Sequence, residues 1–168
     1  RRGFLSGELL KHFVHFRRVT DCLDLPGLNP NYINLNLQDD KLLQDADIEK
    51  PDEYMALLER LARAKAPYMY DWVKDFLQGT DEQLVVFSSY TAPLRELQSR
   101  HKRDVCIITG AEDAETRAAN IANFQNGRIR ILATSFRCGS ESLNFQNCCH
   151  TLYHGYPWTD GMLKQAMA

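Results

Sequence analysis

The chain has 168 residues, 44% of them hydrophobic and 25% charged, an average balance that excludes general disorder and fibrous repeats. Its length fits one domain with a single substantial core, leaving room for an appended arm. The formal charge of −2 excludes a uniformly basic nucleic-acid binder but not a local basic face, because net charge does not say where charges lie.

Residues 1 to 18, "RRGFLSGELLKHFVHFRR", space apolar and basic residues as a helix does, and "LDLPGLNPNY" after them reads as a connector. "YINLNLQ" alternates apolar and polar side chains, which predicts a half-buried strand. From Pro51, "PDEYMALLERLARAKA" places Met55, Leu58, Leu61 and Ala62 on one stripe, with acidic residues in the first turn, as a core-facing or lobe-facing helix requires. Pro67 is expected to interrupt it, a second helix running through "YMYDWVKDFL" to Gly79.

"QLVVFSS" is nearly all apolar, as a strand covered on both faces must be. "APLRELQSRH" reads as a helix and "DVCIITG" as a second buried strand. "DAETRAANIANFQNG" reads as a helix capped by Asp113 and terminated by Gly127. "IRILAT" and "HTLYHGY" are two further strands, and the last residues are helical. Strands separated by helices require right-handed crossovers, so the expected class is α/β: a three-layer parallel sheet with flanking helices. In such sheets the working loops lie beyond the carboxyl ends of the strands, and "SSYT", "TGAED", "SFRCGSES" and "HGYPWT" all fall there.

Basic residues cluster at Arg17 with Arg18, at Arg100, Lys102 and Arg103, and at Arg128, Arg130 and Arg137; solvated surface is the default reading of each. The five cysteines are irregularly spaced, and no secretory leader is read before them, which points to a reduced, cytoplasmic setting, or a nuclear one in a eukaryote. Cys138, Cys148, Cys149, His150 and His154 could suggest zinc, but no CxxC pair is present, so buried thiols and no metal are expected. No apolar run approaches the roughly 20 residues that cross a bilayer, so no membrane association is expected. No Walker A pattern, GxGxxG, GxSxG elbow or HExxH helix occurs, so no autonomous catalytic centre is visible. Backbone amides in Ser- and Gly-rich loops can nevertheless grip phosphates.

The ordered set "QLVVFSSYTAPLREL", "CIITGAEDAETRAANIANFQNG" and "RIRILATSFRCGSESLNFQNCCHTLYHGYPWTDGMLKQA" resembles motifs IV, V and the opening of VI in the second RecA-like lobe of superfamily-two helicases and translocases, nearest their Snf-type branch. The likeness covers residues 84 to 168 strongly and 12 to 79 more loosely. It divides the chain into an N-terminal arm or interlobe bridge, 1–50, and the lobe itself, 51–168, which ends within motif VI. It implies that Ser88, Ser89, Tyr90, Thr109, Gly110, Arg117, Ser135 and Arg137 line a track for a nucleic-acid backbone, with DNA favoured and RNA left open as the alternative. Gly139, Ser140, Glu141, Ser142, Asn144 and Gln165 would face ATP and Mg2+, which a first RecA-like lobe in cis mainly holds. No catalytic residue is assigned, because the motif VI arginines fall beyond Ala168; the stretch alone is expected to be monomeric and not to hydrolyse ATP.

The sequence departs from the family pattern at Ser140 and Ser142, where glycines are usual, at Gly155, where Asp is common, and at Phe136, where Thr is common. The alternative is a non-catalytic interaction module of RecA-like shape. Four residues also have plainer readings: Arg117 could pair with Asp113 at i, i+4, Ser88 and Ser89 could cap the next helix, and Trp158 after Pro157 could be a packing anchor.

Overall fold

Three apolar runs and one mixed run form the strands β1 (Leu84–Ser88), β2 (Val105–Ile108), β3 (Ile131–Ser135) and β4 (His150–His154) of a single sheet in a computed structural model of the protein. The structure describes residues 29–35, 49–139 and 148–167. The chain divides into two units, 1–34 and 35–168; in the first, the described residues carry no secondary structure and are exposed.

The strand order is β2-β3-β1-β4, and every pairing is parallel. The register sets Ser88 opposite both Ser135 and His154, so the carboxyl ends of these strands lie level along one edge. Between the strands run α1 (Pro51–Gly79), before β1, α2 (Thr91–Arg100), α3 (Ala114–Gln125) and the short α4 (Phe136–Gly139); α5 (Asp160–Met167) follows β4. This is the expected α/β architecture.

Alternation within each strand builds two cores. Leu84, Val86, Val105, Ile107, Ile131 and Ala133 face one way, against Met69, Tyr70 and Val73 of α1 and Leu94 and Leu97 of α2. Val85, Phe87, Cys106, Ile108 and Leu132 face the other, against Phe124 of α3 and Phe136 of α4. Burial on both faces explains why these strands are continuous apolar runs.

Local signals fixed several ends as expected. The Asp113 side chain accepts from the Thr116 amide at the start of α3, and Gly127 takes φ 70° just past its end, a conformation that glycine adopts without the Cβ penalty. The end of α1 is capped from afar: Arg130 donates to the Leu77 carbonyl at 3.1 Å and also to that of Thr80, placing a cation on the negative end of the helix dipole.

Three expectations are corrected. Pro67 does not divide the helix, since α1 runs unbroken from Pro51 to Gly79. Proline costs about 3 kcal/mol inside a helix, but burial of Ala66, Met69, Tyr70 and Val73 around it offsets that cost. The stripe on the first half of α1 is carried by Leu57 and Ala62, both buried, whereas Met55 is 44% exposed. Residues 32 to 35 of the expected strand "YINLNLQ" are not extended into any sheet, with Tyr32 72% exposed. An alternating pattern becomes a strand only where a neighbour accepts its hydrogen bonds, and the described sheet offers none; residues 36 to 38 lie outside the described ones.

Gly139, which ends α4, sits directly on the sheet. A Cβ there would lie 2.5 Å from Phe87 Cε1 and 2.6 Å from Thr134 Cγ2, so only glycine lets the turn after β3 approach so closely. Gly139→Ala is expected to destabilise the fold by about 1–3 kcal/mol through overpacking. A thermal melt of the Gly139→Ala, Phe87→Leu double variant checks the cause: the shorter side chain should return part of the loss, and simple additivity would show that the clash is not responsible.

Candidate nucleic-acid interface at the carboxyl edge of the sheet

Because all strands run parallel, the four polar loops share one edge, as the sequence led one to expect. Side chains tie these loops together. Ser89 donates to the Tyr156 carbonyl at 3.2 Å, linking the loop after β1 to that after β4. Arg117 reaches from α3 to the Cys138 carbonyl at 3.2 Å. Its side chain therefore holds the turn after β3 and makes no ion pair with Asp113, whose carboxylate is engaged at its own helix cap. In that turn the Ser135 hydroxyl accepts from the Cys138 amide at 3.3 Å.

Ser88 is fully buried. Its hydroxyl accepts from the Tyr90 amide at 3.1 Å and meets His154 Nδ1 at 3.2 Å. This is not the helix cap that its position suggested: Tyr90 is the N-cap of α2, and no side chain caps it. Tyr90 is half-buried, and burial, with Glu59 and Tyr54 close by, raises its phenol above the usual value.

Thr109 is buried, and both its amide and its hydroxyl donate to the Glu112 carboxylate, the hydroxyl at 2.7 Å. Arg95 of α2 binds the other carboxylate oxygen at 3.1 Å. Burial acts to raise the Glu112 pKa, but the Thr109 hydrogen bonds and the Arg95 charge outweigh it and hold the carboxyl below its ordinary range. Gly110 beside it is exposed with open space around it, and Arg137 is exposed too.

The residues expected at the track thus separate by role. Ser88, Ser89, Thr109, Arg117 and Ser135 have polar groups engaged inside the fold and set the loops' shapes. Gly110, Arg137 and the half-buried Tyr90 are open to a ligand. Of the residues expected near a nucleotide, Gly139 packs on the sheet, Ser140, Glu141, Ser142 and Asn144 lie outside the described residues, and Gln165 falls in α5 with its side chain outside them. Sequence reasoning missed Arg95 and Glu112; the Thr-x-x-Glu spacing after β2 was the available signal. It met His154 only as a metal candidate.

The other cysteine and histidine expectations resolve differently. His150 and His154 begin and end β4, which separates them by about 13 Å at strand rise. His150 pairs with Glu82, while the Cys148 thiol donates to the Gln83 and His150 carbonyls at 3.2 and 3.1 Å. Among the described residues no group of three or more His, Cys, Asp or Glu is placed to hold a metal ion. Cys106 is buried, its thiol pushed up to about 12 by desolvation; Cys149 is exposed, against the expectation of buried thiols. Trp158 is 59% exposed and so does not anchor packing among the described residues. No described helix is long and apolar enough to cross a membrane.

The model of the helicase conserved C-terminal domain matches residues 68–168, more than half of the chain. The chain belongs to this family. Solved structures similar to this helicase C-terminal domain include the Sulfolobus solfataricus SWI2/SNF2 ATPase core domain, at 12% identity and a TM-score of 0.56, covering 76% of this chain and 32% of that one. The C-terminal domain of the Sulfolobus solfataricus SWI2/SNF2 ATPase matches at 12% identity and a TM-score of 0.50, covering 68% and 61%. The C-terminal part of the Fun30 ATPase domain matches at 16% identity and a TM-score of 0.49, covering 78% and 56%. The helicase C-terminal domain described here therefore spans less than two thirds of each of these chains, and at such identities the likeness is one of fold. A comparison with curated protein sequences gives no match.

Proposed function

We propose that this helicase C-terminal domain is the second RecA-like lobe of an ATP-driven motor that moves along nucleic acid, duplex DNA in particular, as a Snf-type translocase does. The observation that carries the reading is the convergence of four polar loops on one edge of a parallel sheet, with Gly110 and Arg137 open there. The names of the two Sulfolobus solfataricus SWI2/SNF2 ATPase structures support the Snf-type assignment.

In this reading ATP and Mg2+ are held mainly by a first lobe in cis, across a cleft that Ser140, Glu141, Ser142, Asn144 and Gln165 face, while Gly139 sets the start of that loop against the sheet. The bound nucleotide supplies the energy that closes and reopens the lobes. This lobe's own part is to keep its loops shaped against successive phosphates. Ser88, Ser89, Arg117 and Ser135 do so by fixing backbone, as does Thr109 while Glu112 occupies its donors, whereas Tyr90, Gly110 and Arg137 touch the strand. Alone, the lobe is monomeric and does not turn over ATP, and the protein works in the cytoplasm or nucleus.

The test joins this domain to its first lobe and measures ATP hydrolysis with and without duplex DNA. Stimulation by DNA is expected, and a two-lobed protein that remains inactive would point to a non-catalytic module. Arg137→Ala should weaken DNA binding and flatten the dependence of log affinity on log salt by about one phosphate contact. An unchanged salt slope would remove Arg137 from the track.

A further inference from the structure

The turn after β2 holds an anion already. The Thr109 amide and hydroxyl both donate to Glu112 Oε2, and the Arg95 guanidinium binds Oε1 at 3.1 Å. The hydroxyl is oriented for this, because its oxygen also faces the Ala111 amide at 3.4 Å, which leaves its proton for the carboxylate. These donors come from separate elements, a strand end and α2, and converge on a side chain only 9% exposed. A backbone amide, a hydroxyl and a guanidinium aimed at one point are the groups that grip a phosphodiester. A carboxylate and a phosphodiester also match in charge and in presenting two oxygens.

We infer that Thr109 and Arg95 form an oxyanion seat for a backbone phosphate, and that Glu112 occupies the seat until nucleic acid displaces it. The inference rests on the motor reading for the identity of the incoming anion. With Glu112 in place its charge cancels that of Arg95 and the seat repels a phosphate; with Glu112 swung out, one positive charge and two further donors stand exposed. Gly110, free of neighbours on the solvent side, gives the turn room to open. The Thr109 hydrogen bonds and the Arg95 ion pair, which outweigh the cost of burying the carboxylate, keep the closed arrangement the resting one.

The test compares the full chain with its Glu112→Gln variant. Gln keeps an acceptor for Thr109 but loses the charge that competes with phosphate. Fluorescence anisotropy with a labelled DNA duplex should show the variant binding about fivefold tighter, the effect of removing one competing charge near the site. Glu115→Gln, an exposed neighbour on α3, should change affinity little, and Arg95→Ala added to Glu112→Gln should abolish the gain. Amide chemical shifts of Thr109 under inorganic phosphate give a readout independent of DNA, with a larger response expected in Glu112→Gln. If the wild-type chain binds duplex while Glu112→Gln binds no tighter and Thr109 does not respond to phosphate, the seat is refuted and the motor reading stands. If neither chain binds nucleic acid but Thr109 responds to phosphate in the variant, the seat stands and the motor reading falls. No binding and no response defeats both.

Discussion

Phe136→Ala is expected to lose about 3–5 kcal/mol of stability, the usual cost of emptying a buried aromatic site. Phe136 is 2% exposed. Its ring stacks on Phe87 at 5.5 Å and on Tyr153 at 6.0 Å, and Phe87 stacks on Tyr153 at 5.4 Å. This triad clamps the first residue of the turn after β3 onto β1 and β4, and the Tyr153 hydroxyl extends the clamp by donating to the Ala166 carbonyl in α5 at 2.9 Å. The ring thus belongs to the core, although it follows Ser135 at the working edge. Phe136→Thr, the residue common in the family pattern, should cost a similar amount, because it opens the same cavity and buries a hydroxyl. Phe136→Leu, which refills most of the volume, should cost much less. Urea denaturation decides the matter: an Ala variant within 1 kcal/mol of the parent would mean that the site collapses around the gap and that the stack does not hold the turn.

Elements whose burial is uniform were readable from sequence. "LVVF", "VCII" and "ILAT" read as strands covered on both faces because they are short, largely β-branched or aliphatic and apolar throughout. The cap at Asp113 and the stop at Gly127 were equally plain, since each depends on one residue and its own backbone. The parallel order of the motifs then placed the working loops on one edge. What was hidden depends on partners far along the chain. Nothing near Pro67 announces that the burial of Met69 and Val73 keeps the helix whole, and nothing near Tyr32 says that residues 32 to 35 join no strand among the described residues. Arg117 has an obvious local partner in Asp113, yet its guanidinium goes to Cys138, 21 residues away, because Asp113 is engaged as a cap. Spacing shows which residues share a face; it does not show which hydrogen bonds form when the loops of four strands meet.

Acidification should expose the role of His154. This side chain is 7% exposed, its Nδ1 meets the Ser88 hydroxyl at 3.2 Å, and its Nε2 has no hydrogen-bond partner among the described residues. Ser88 also accepts from the Tyr90 amide, and its hydroxyl, with one proton and a second lone pair, can pair with Nδ1 in either neutral tautomer of the ring. Burial first, and then the positive charge of Lys65, together lower its pKa from 6.5 to about 4, opposed by the Ala62 backbone. Lys65 Nζ lies 3.8 Å from where a side chain on Gly155 would begin, so the amine stands at the end of β4. The folded pKa is below the unfolded one, so the unfolded chain takes up the proton first. Stability from this group is complete above about pH 6.5 and falls as the pH drops toward 4, by about 3 kcal/mol over the interval. His154→Gln, which cannot titrate, should remove this slope and leave only the losses in acid that arise when carboxylates such as Glu112, held below the ordinary range, become protonated. Thermal midpoints measured from pH 7.5 to 4 in both proteins are the test, and parallel curves would show that the Ser88–His154 pair does not set the acid limit of this edge.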